Sequence, residues 1–344
     1  MTYKILSFDG GGIRGLVSAM LLQNLVGQPG LANLIDDADL LVGTSTGGLI
    51  SLSLAAGQSV CEVVDVYKNK GAKIFQHYSD DYGATSVKYL NDGISQMAGQ
   101  WLANFPTMSS LRSGSGRDVA VVAAQLWDPN ALSPGANPQG SWMPRFISSL
   151  SGNPYTGLDP VLAALVTSAA PIYFPPVEID TMEADYNSFY VDGGLVANNP
   201  LAFAVAQVVG AGMATPDDIG VISIGTATSS FGITTEDVKG QDYGANSWGA
   251  SLWLDPFGSG PRPALPLLEL ALSMNEELST AAAAAMFGTP NADGSRFLRA
   301  EPVIAPYAMD DYKDIGQLEN DVAAYIDSDD WAQIVKLAPA VWGY

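Results

Sequence analysis

The chain has 344 residues, 47% of them apolar and 15% charged, with seven Trp, 14 Tyr, one Cys and one His. That make-up excludes a disordered chain, and the single Cys and His exclude a disulfide framework, a multi-Cys zinc site and any multi-His metal centre. Fifteen Lys and Arg against 36 Asp and Glu give a net charge of −21, which repels phosphate backbones and sets nucleic acid aside as a partner.

Met1–Lys4 leads straight into the run Ile5–Phe8, with no apolar leader ahead of a cleavage site. Two uncharged apolar stretches, Leu40–Cys61 and Pro160–Val177, are broken by Gly, Thr and Ser or by Pro171, Pro175 and Pro176, so neither reads as a membrane span. The expectation is a cytoplasmic protein, with non-classical export left open.

Lys4–Phe8 reads as a strand that ends in Asp9 and three glycines. Leu16–Val26 follows with apolar residues at helical spacing. Asp39–Val42 is a second short strand, closed by Gly43-Thr44-Ser45-Thr46-Gly47-Gly48, and Leu49–Ala56 reads as a buried helix. Val60–Ile74 continues as a helix. Residues 78–117 are polar with little legible periodicity. Val119–Leu126 reads as a strand, 128–144 as a Pro- and Gly-rich loop, and Val161–Ser168 as a helix. A strand ends at Tyr190-Val191-Asp192-Gly193-Gly194. Leu201–Val209 reads as a helix, Ile219–Ile224 as a strand, and Leu267–Phe287 and Ile315–Leu337 as long helices. Strands alternating with helices mean a mostly parallel sheet covered on both faces.

Gly43-Thr44-Ser45-Thr46-Gly47 matches G-x-S-x-G between a strand and a helix, the setting of a nucleophile elbow. Small neighbours let the serine stand on a strained turn, and the helix start places positive dipole beside it. A tight turn with a structural serine satisfies the same string. A His base would have to be His77, in Phe75-Gln76-His77-Tyr78, which reads as a helix-end or surface residue. A carboxylate within hydrogen-bond reach is the other choice. Asp192 stands at a strand end before two glycines, although Asp-Gly turns are common. Gly10-Gly11-Gly12-Ile13-Arg14-Gly15 fits either a dinucleotide-binding turn or a loop whose amides face a substrate oxyanion. Asp36 and Asp37 have the spacing of the dinucleotide acid but precede the second strand.

Taken together, Asp9–Gly15, Gly43–Gly48 and Asp192-Gly193-Gly194 occur in the order of the patatin-like phospholipase family, which residues 3–228 resemble. Ser168–Pro176, Asn198-Asn199-Pro200 and Ile224-Gly225-Thr226 resemble its linking segments. The resemblance implies an α/β fold, a three-layer α/β/α sandwich with a mostly parallel central sheet, followed by C-terminal helices. It implies a serine acyl hydrolase, a phospholipase A, lysophospholipase or lipid esterase, acting through an acyl-enzyme. By resemblance Ser45 is the nucleophile, Asp192 its base, and Gly10, Gly11 and Gly12 form the oxyanion loop. Arg14, Gly43, Gly47 and Gly193 are supporting residues. No metal and no cofactor are expected. The partners expected are a lipid or acyl-ester substrate and a transient membrane surface. A nucleotide-binding protein and a catalytically silent lipid-binding protein are the alternatives. Residues 1–230 read as the catalytic core and 231–344 as a helical extension packed on it. Within that extension Trp248–Leu272 is a candidate lid, and Ile172, Tyr173 and Phe174 are candidate acyl-pocket residues.

Overall fold

A computed structural model describes residues 2–76, 78, 86–126, 142–180, 187–228 and 266–344. Its strands are Tyr3–Phe8 (β1), Leu40–Thr44 (β2), Asp118–Gln125 (β3), Met143–Ser148 (β4), Val177–Ile179 (β5), Ser188–Asp192 (β6), Ile219–Ile224 (β7) and Phe297–Ala300 (β8). The central ones are almost continuous apolar runs, as strands buried on both faces must be. β1 pairs in parallel with β2 and β7, β2 with β3, and β7 with β8. β4 runs antiparallel along β3.

One detail of register positions the site. β3 pairs with β2 up to Thr44 opposite Val122, and then with β6, Asp192 lying opposite Ala123. β4 occupies the other side of β3, so β6 fills the lane that β2 vacates when the chain turns at Ser45. It enters antiparallel and delivers Asp192 beside that turn.

The helices are Gly15–Val26 (α1), Thr46–Ala55 (α2), Val60–Ile74 (α3), Asp92–Leu102 (α4), Met108–Ser115 (α5), Pro160–Thr167 (α6), Gly194–Ala197 (α7), Leu201–Gly210 (α8), Pro266–Phe287 (α9), Ile315–Ile326 (α10) and Asp329–Trp342 (α11). Alternate strand residues feed two cores. Leu6, Phe8, Leu41 and Val121 pack under helices such as α1, α2 and α6, whereas Ile5, Val42, Val122 and Val221 pack under α8 and α9. This is the expected three-layer α/β/α sandwich.

Four details depart from the sequence reading. The polar stretch 78–117 holds two helices, α4 and α5. In α4 the buried residues Ile94, Met97, Ala98 and Leu102 do fall at helical spacing, diluted by polar neighbours. In α5 a capping box between Thr107 and Ser110 opens the helix and Gly116, at φ 78, closes it. The loop expected to run to residue 144 already gives way to β4 at Met143. The helix expected over Ile315–Leu337 is two, because Ser328 accepts the Trp331 N–H and caps a new start. The C-terminal stretch also adds a strand, β8, to the sheet. Its last helix is anchored by the buried Trp342, whose indole N–H donates to Leu34 O at 3.0 Å.

Candidate active site

Ser45 alone makes the turn from β2 into α2. Its backbone lies at φ 54 and ψ −123, a region that residues with a Cβ occupy only under strain. Bare neighbours make the turn feasible. A Cβ on Gly43 would fall on the Gly47 carbonyl, and one on Gly47 would fall on the Phe8 carbonyl. Thr167 holds the turn in place: its hydroxyl accepts the Ser45 N–H at 3.0 Å and donates to Val122 O at 2.6 Å. The first N–H groups of α2 are left free beside the serine, as at any helix start.

Asp192 is buried, and the Ser45 hydroxyl is close enough to favour its charged form. The Gly194 N–H donates to Oδ1 at 2.7 Å and fixes the carboxyl's rotation. Burial pushes this carboxyl up to about 7, and the Ser45 hydroxyl and the Gly194 N–H pull against that rise. Gly193 has no room for a side chain, since a Cβ there would meet the Val122 carbonyl.

The glycine loop leaves β1 and crosses in front of the same turn. Gly10 is held on three sides: its N–H donates to Asn198 O at 3.0 Å, and its carbonyl accepts from Thr226 Oγ1 at 2.7 Å and Asn198 Nδ2 at 3.4 Å. Gly12 lies at φ 61, where a Cβ would strike the Met309 carbonyl. Among the described residues, the N–H groups of Gly11 and Gly12 have no acceptor. Arg14 folds back on the loop, its backbone N–H reaching Gly11 O at 3.2 Å and its Nε at 3.5 Å.

Behind the loop lies a buried ionic cluster that sequence reading missed. Arg299, on β8, donates through Nη2 to Asp9 Oδ2 at 2.6 Å, to Glu276 at 3.0 Å and to Glu301, and through Nη1 to Ser223 at 2.9 Å. Asp9 is fully buried, and burial pushes its carboxyl up to about 7 against the pull of Arg299. The three carboxylates come within metal-binding distance of one another, but the guanidinium already supplies their positive charge. Asn198 links this cluster to the loop, since its Nδ2 also donates to Glu276 at 2.9 Å. No local pattern marks Arg299, which lies 290 residues from Asp9. Thr167 was equally silent in the sequence, and Thr226 stood out only as part of the resemblance at Ile224-Gly225-Thr226.

Ser45 lies in the wall of an apolar cavity, with Tyr173, Phe174 and Met309 also in that wall. Ile172 is not among its lining residues; it sits beside them at φ 76. His77 lies outside the described residues, as do residues 248–265 of the candidate lid. The described remainder of the lid segment begins α9, with Leu267 and Leu270 exposed and Leu272 packed on the core. Asp36 and Asp37 lie away from the glycine turn: Asp36 pairs with Arg117, and Asp37 accepts from the Tyr344 hydroxyl. The end of β2, where a dinucleotide site places its acid, is occupied by Ser45.

Residues 6–205 match the family model described as patatin-like phospholipase. A "cGAMP-activated phospholipase" of Vibrio cholerae is 29% identical over 90% of this chain and 84% of its own length. "Patatin-like protein 2" of Arabidopsis thaliana is 29% identical over 75% of this chain and 66% of its own. A solved structure, VipD from Legionella pneumophila, aligns with a TM-score of 0.42 at 12% identity, over 93% of this chain and 67% of that one.

Proposed function

Since the chain belongs to the patatin-like phospholipase family, we propose that its lipid-ester hydrolysis runs through a two-residue unit, Ser45 as nucleophile and Asp192 as base. One observation carries the assignment. A serine on a strained strand-to-helix turn stands beside a buried carboxyl whose affinity for protons burial raises to near neutrality.

In this reading Ser45 Oγ attacks the ester carbonyl carbon while its proton passes to the Asp192 carboxylate. The carbonyl oxygen becomes an oxyanion and accepts from the unpartnered N–H groups of Gly11 and Gly12 and from the start of α2. Gly10 shapes the loop instead, because its N–H is already given to Asn198. Each such donor is worth about 3–4 kcal/mol in the transition state. Collapse of the intermediate breaks the C–O bond to the alcohol, which takes the proton from Asp192 and leaves acyl-Ser45. Water then attacks the acyl carbonyl with Asp192 again accepting the proton; collapse breaks the C–O bond to Ser45, whose oxygen takes that proton back from Asp192, and the carboxylic acid departs. Every proton in this sequence is carried by Asp192, so the reading needs neither a His nor a bound cofactor.

Phospholipids, lysophospholipids and simple acyl esters all present the required carbonyl. The test is covalent capture. An alkyl fluorophosphonate is expected to add one phosphonyl group to the peptide containing Ser45, read by mass spectrometry, and Ser45→Ala to take up none. A label on another residue would move the nucleophile elsewhere. The Vibrio cholerae relative is named for activation by cGAMP, so that nucleotide belongs in the ester assay as an additive, and a rise in rate would extend the property to this chain.

The net charge of −21 sets a second expectation. Initial rates on zwitterionic vesicles exceed those on anionic vesicles at low salt, and the gap closes as salt shortens the reach of the charges. Equal rates at low salt would contradict it.

A further inference from the structure

We propose that the cavity beside Ser45 is a closed-ended acyl channel that admits roughly eight to ten carbons, with Trp101 as the residue that stops longer chains. The inference rests on the hydrolase reading of Ser45 and adds a substrate class to it.

The wall of the cavity gives its direction. α2 contributes Thr46, Leu49, Ile50 and Ser53, one face of a helix that begins at the nucleophile. α3 runs the other way: the Tyr67 hydroxyl is hydrogen-bonded to Thr46 Oγ1 at the Ser45 end, so Val63, one turn earlier in the chain, lies deeper. α4 turns down again. Its first turn packs on the end of α3, where a Cβ on Gly93 would meet the backbone of Lys73 and Ile74. Ile94 therefore sits near the mouth and Trp101, two turns on, near the floor. Ser53, Val63 and Trp101 converge at the far end from three helices.

Depth follows from helix geometry. Eight residues separate Ser45 from Ser53, which at 1.5 Å per residue is about 12 Å. An extended chain of C–C bonds near 1.5 Å advances about 1.25 Å per carbon, so the channel fills at roughly eight to ten carbons. The wall suits hydrocarbon along its whole length. Two of its hydroxyls are satisfied internally, since Ser53 Oγ donates to Leu49 O at 2.6 Å and Thr46 is bonded to Tyr67. Each methylene of an acyl chain buried there gains roughly a factor of four.

The test is kcat/KM for p-nitrophenyl butyrate, octanoate, decanoate, myristate and palmitate. In the wild type, kcat/KM is expected to climb to octanoate or decanoate and fall by about tenfold or more at palmitate, because the excess methylenes meet the floor and hold the carbonyl back from Ser45. Trp101→Ala opens the floor and raises the palmitate-to-decanoate ratio by about tenfold. Ser53→Leu fills it and lowers the decanoate-to-butyrate ratio by a similar factor. These opposite shifts are not produced by general destabilisation, and if Trp101→Ala fails to fold, Ser53→Leu decides. A wild-type profile that keeps rising to palmitate overturns the channel, as do unchanged ratios in the variants while the fluorophosphonate still labels Ser45. Hydrolysis persisting in Ser45→Ala overturns the hydrolase reading instead.

Discussion

Ser45→Ala is expected to lower hydrolysis of a p-nitrophenyl ester by about 10⁵–10⁶-fold, as loss of a serine nucleophile does elsewhere. Asp192→Asn removes the proton acceptor but keeps the shape, and is expected to cost about 10³–10⁴-fold. The pH profile separates the two roles. Only the ionised form of Asp192 accepts the serine proton, and burial pushes that carboxyl up to about 7. Wild-type kcat/KM should therefore be level above pH 7 and fall tenfold per pH unit below it. The residual rate of Asp192→Asn should lack that limb. Linkage gives a second readout with its own sign. A carboxyl whose affinity for protons is higher folded than unfolded binds more protons in the native state, so its contribution to stability declines as pH rises from about 4 through about 7. Asp192→Asn removes that decline, so its melting temperature should gain on the wild type toward pH 8 and lose the gain near pH 4. His77→Ala should leave the rate close to wild type. A rate that survives Ser45→Ala, or an acid limb that persists in Asp192→Asn, would contradict the dyad.

Arg299→Met is the second large effect, and it strikes the fold rather than the chemistry. Arg299 is the cation that Asp9, Glu276 and Glu301 share behind the glycine loop. Among the described residues, Asp9 Oδ1 and Glu301 Oε1 are already buried without a partner. Removing the guanidinium leaves buried carboxylates uncompensated, a loss typically of about 3–5 kcal/mol. Burial raises both the Asp9 and Glu301 carboxyls, so the variant can relieve itself by taking up protons. The deficit in melting temperature should therefore be largest at pH 8 and shrink toward pH 5. Since Asp9 precedes Gly10, whose N–H and carbonyl are both fixed by Asn198, esterase activity should be lost at lower temperature than in the wild type. An unchanged melting temperature at pH 8 would show that the cluster does not hold the loop.

The three chain turns of the site were legible because each is a local signal. A strand that ends in Asp9 and three glycines, a serine between Gly43 and Gly47, and Asp192 before Gly193 can each be read within a few residues, since steric limits on a turn act on adjacent backbone. The family resemblance then joined them. The helices in 78–117 were not legible, because the apolar positions of α4 are few and its packing on α2, α3 and α6 supplies what its own residues do not. The break at Ser328 was hidden by continuous apolar spacing on both sides.

By itself the sequence determined that a strand and a helix flank Ser45, which residues are small enough to let the chain turn there, and that a base is either the single histidine, His77, or a carboxylate. The tertiary structure alone decided that β6 enters the lane left by β2, so that Asp192 meets Ser45 across 147 residues of chain. It also decided that Gly10 gives its N–H to Asn198, and that Arg299 reaches Asp9. The physical reason is the range of the forces involved. Backbone sterics and hydrophobic period act over a few residues and are written in order along the chain. Strand register, shared hydrogen bonds and the pairing of buried charges arise only when distant segments are packed together and water is excluded between them.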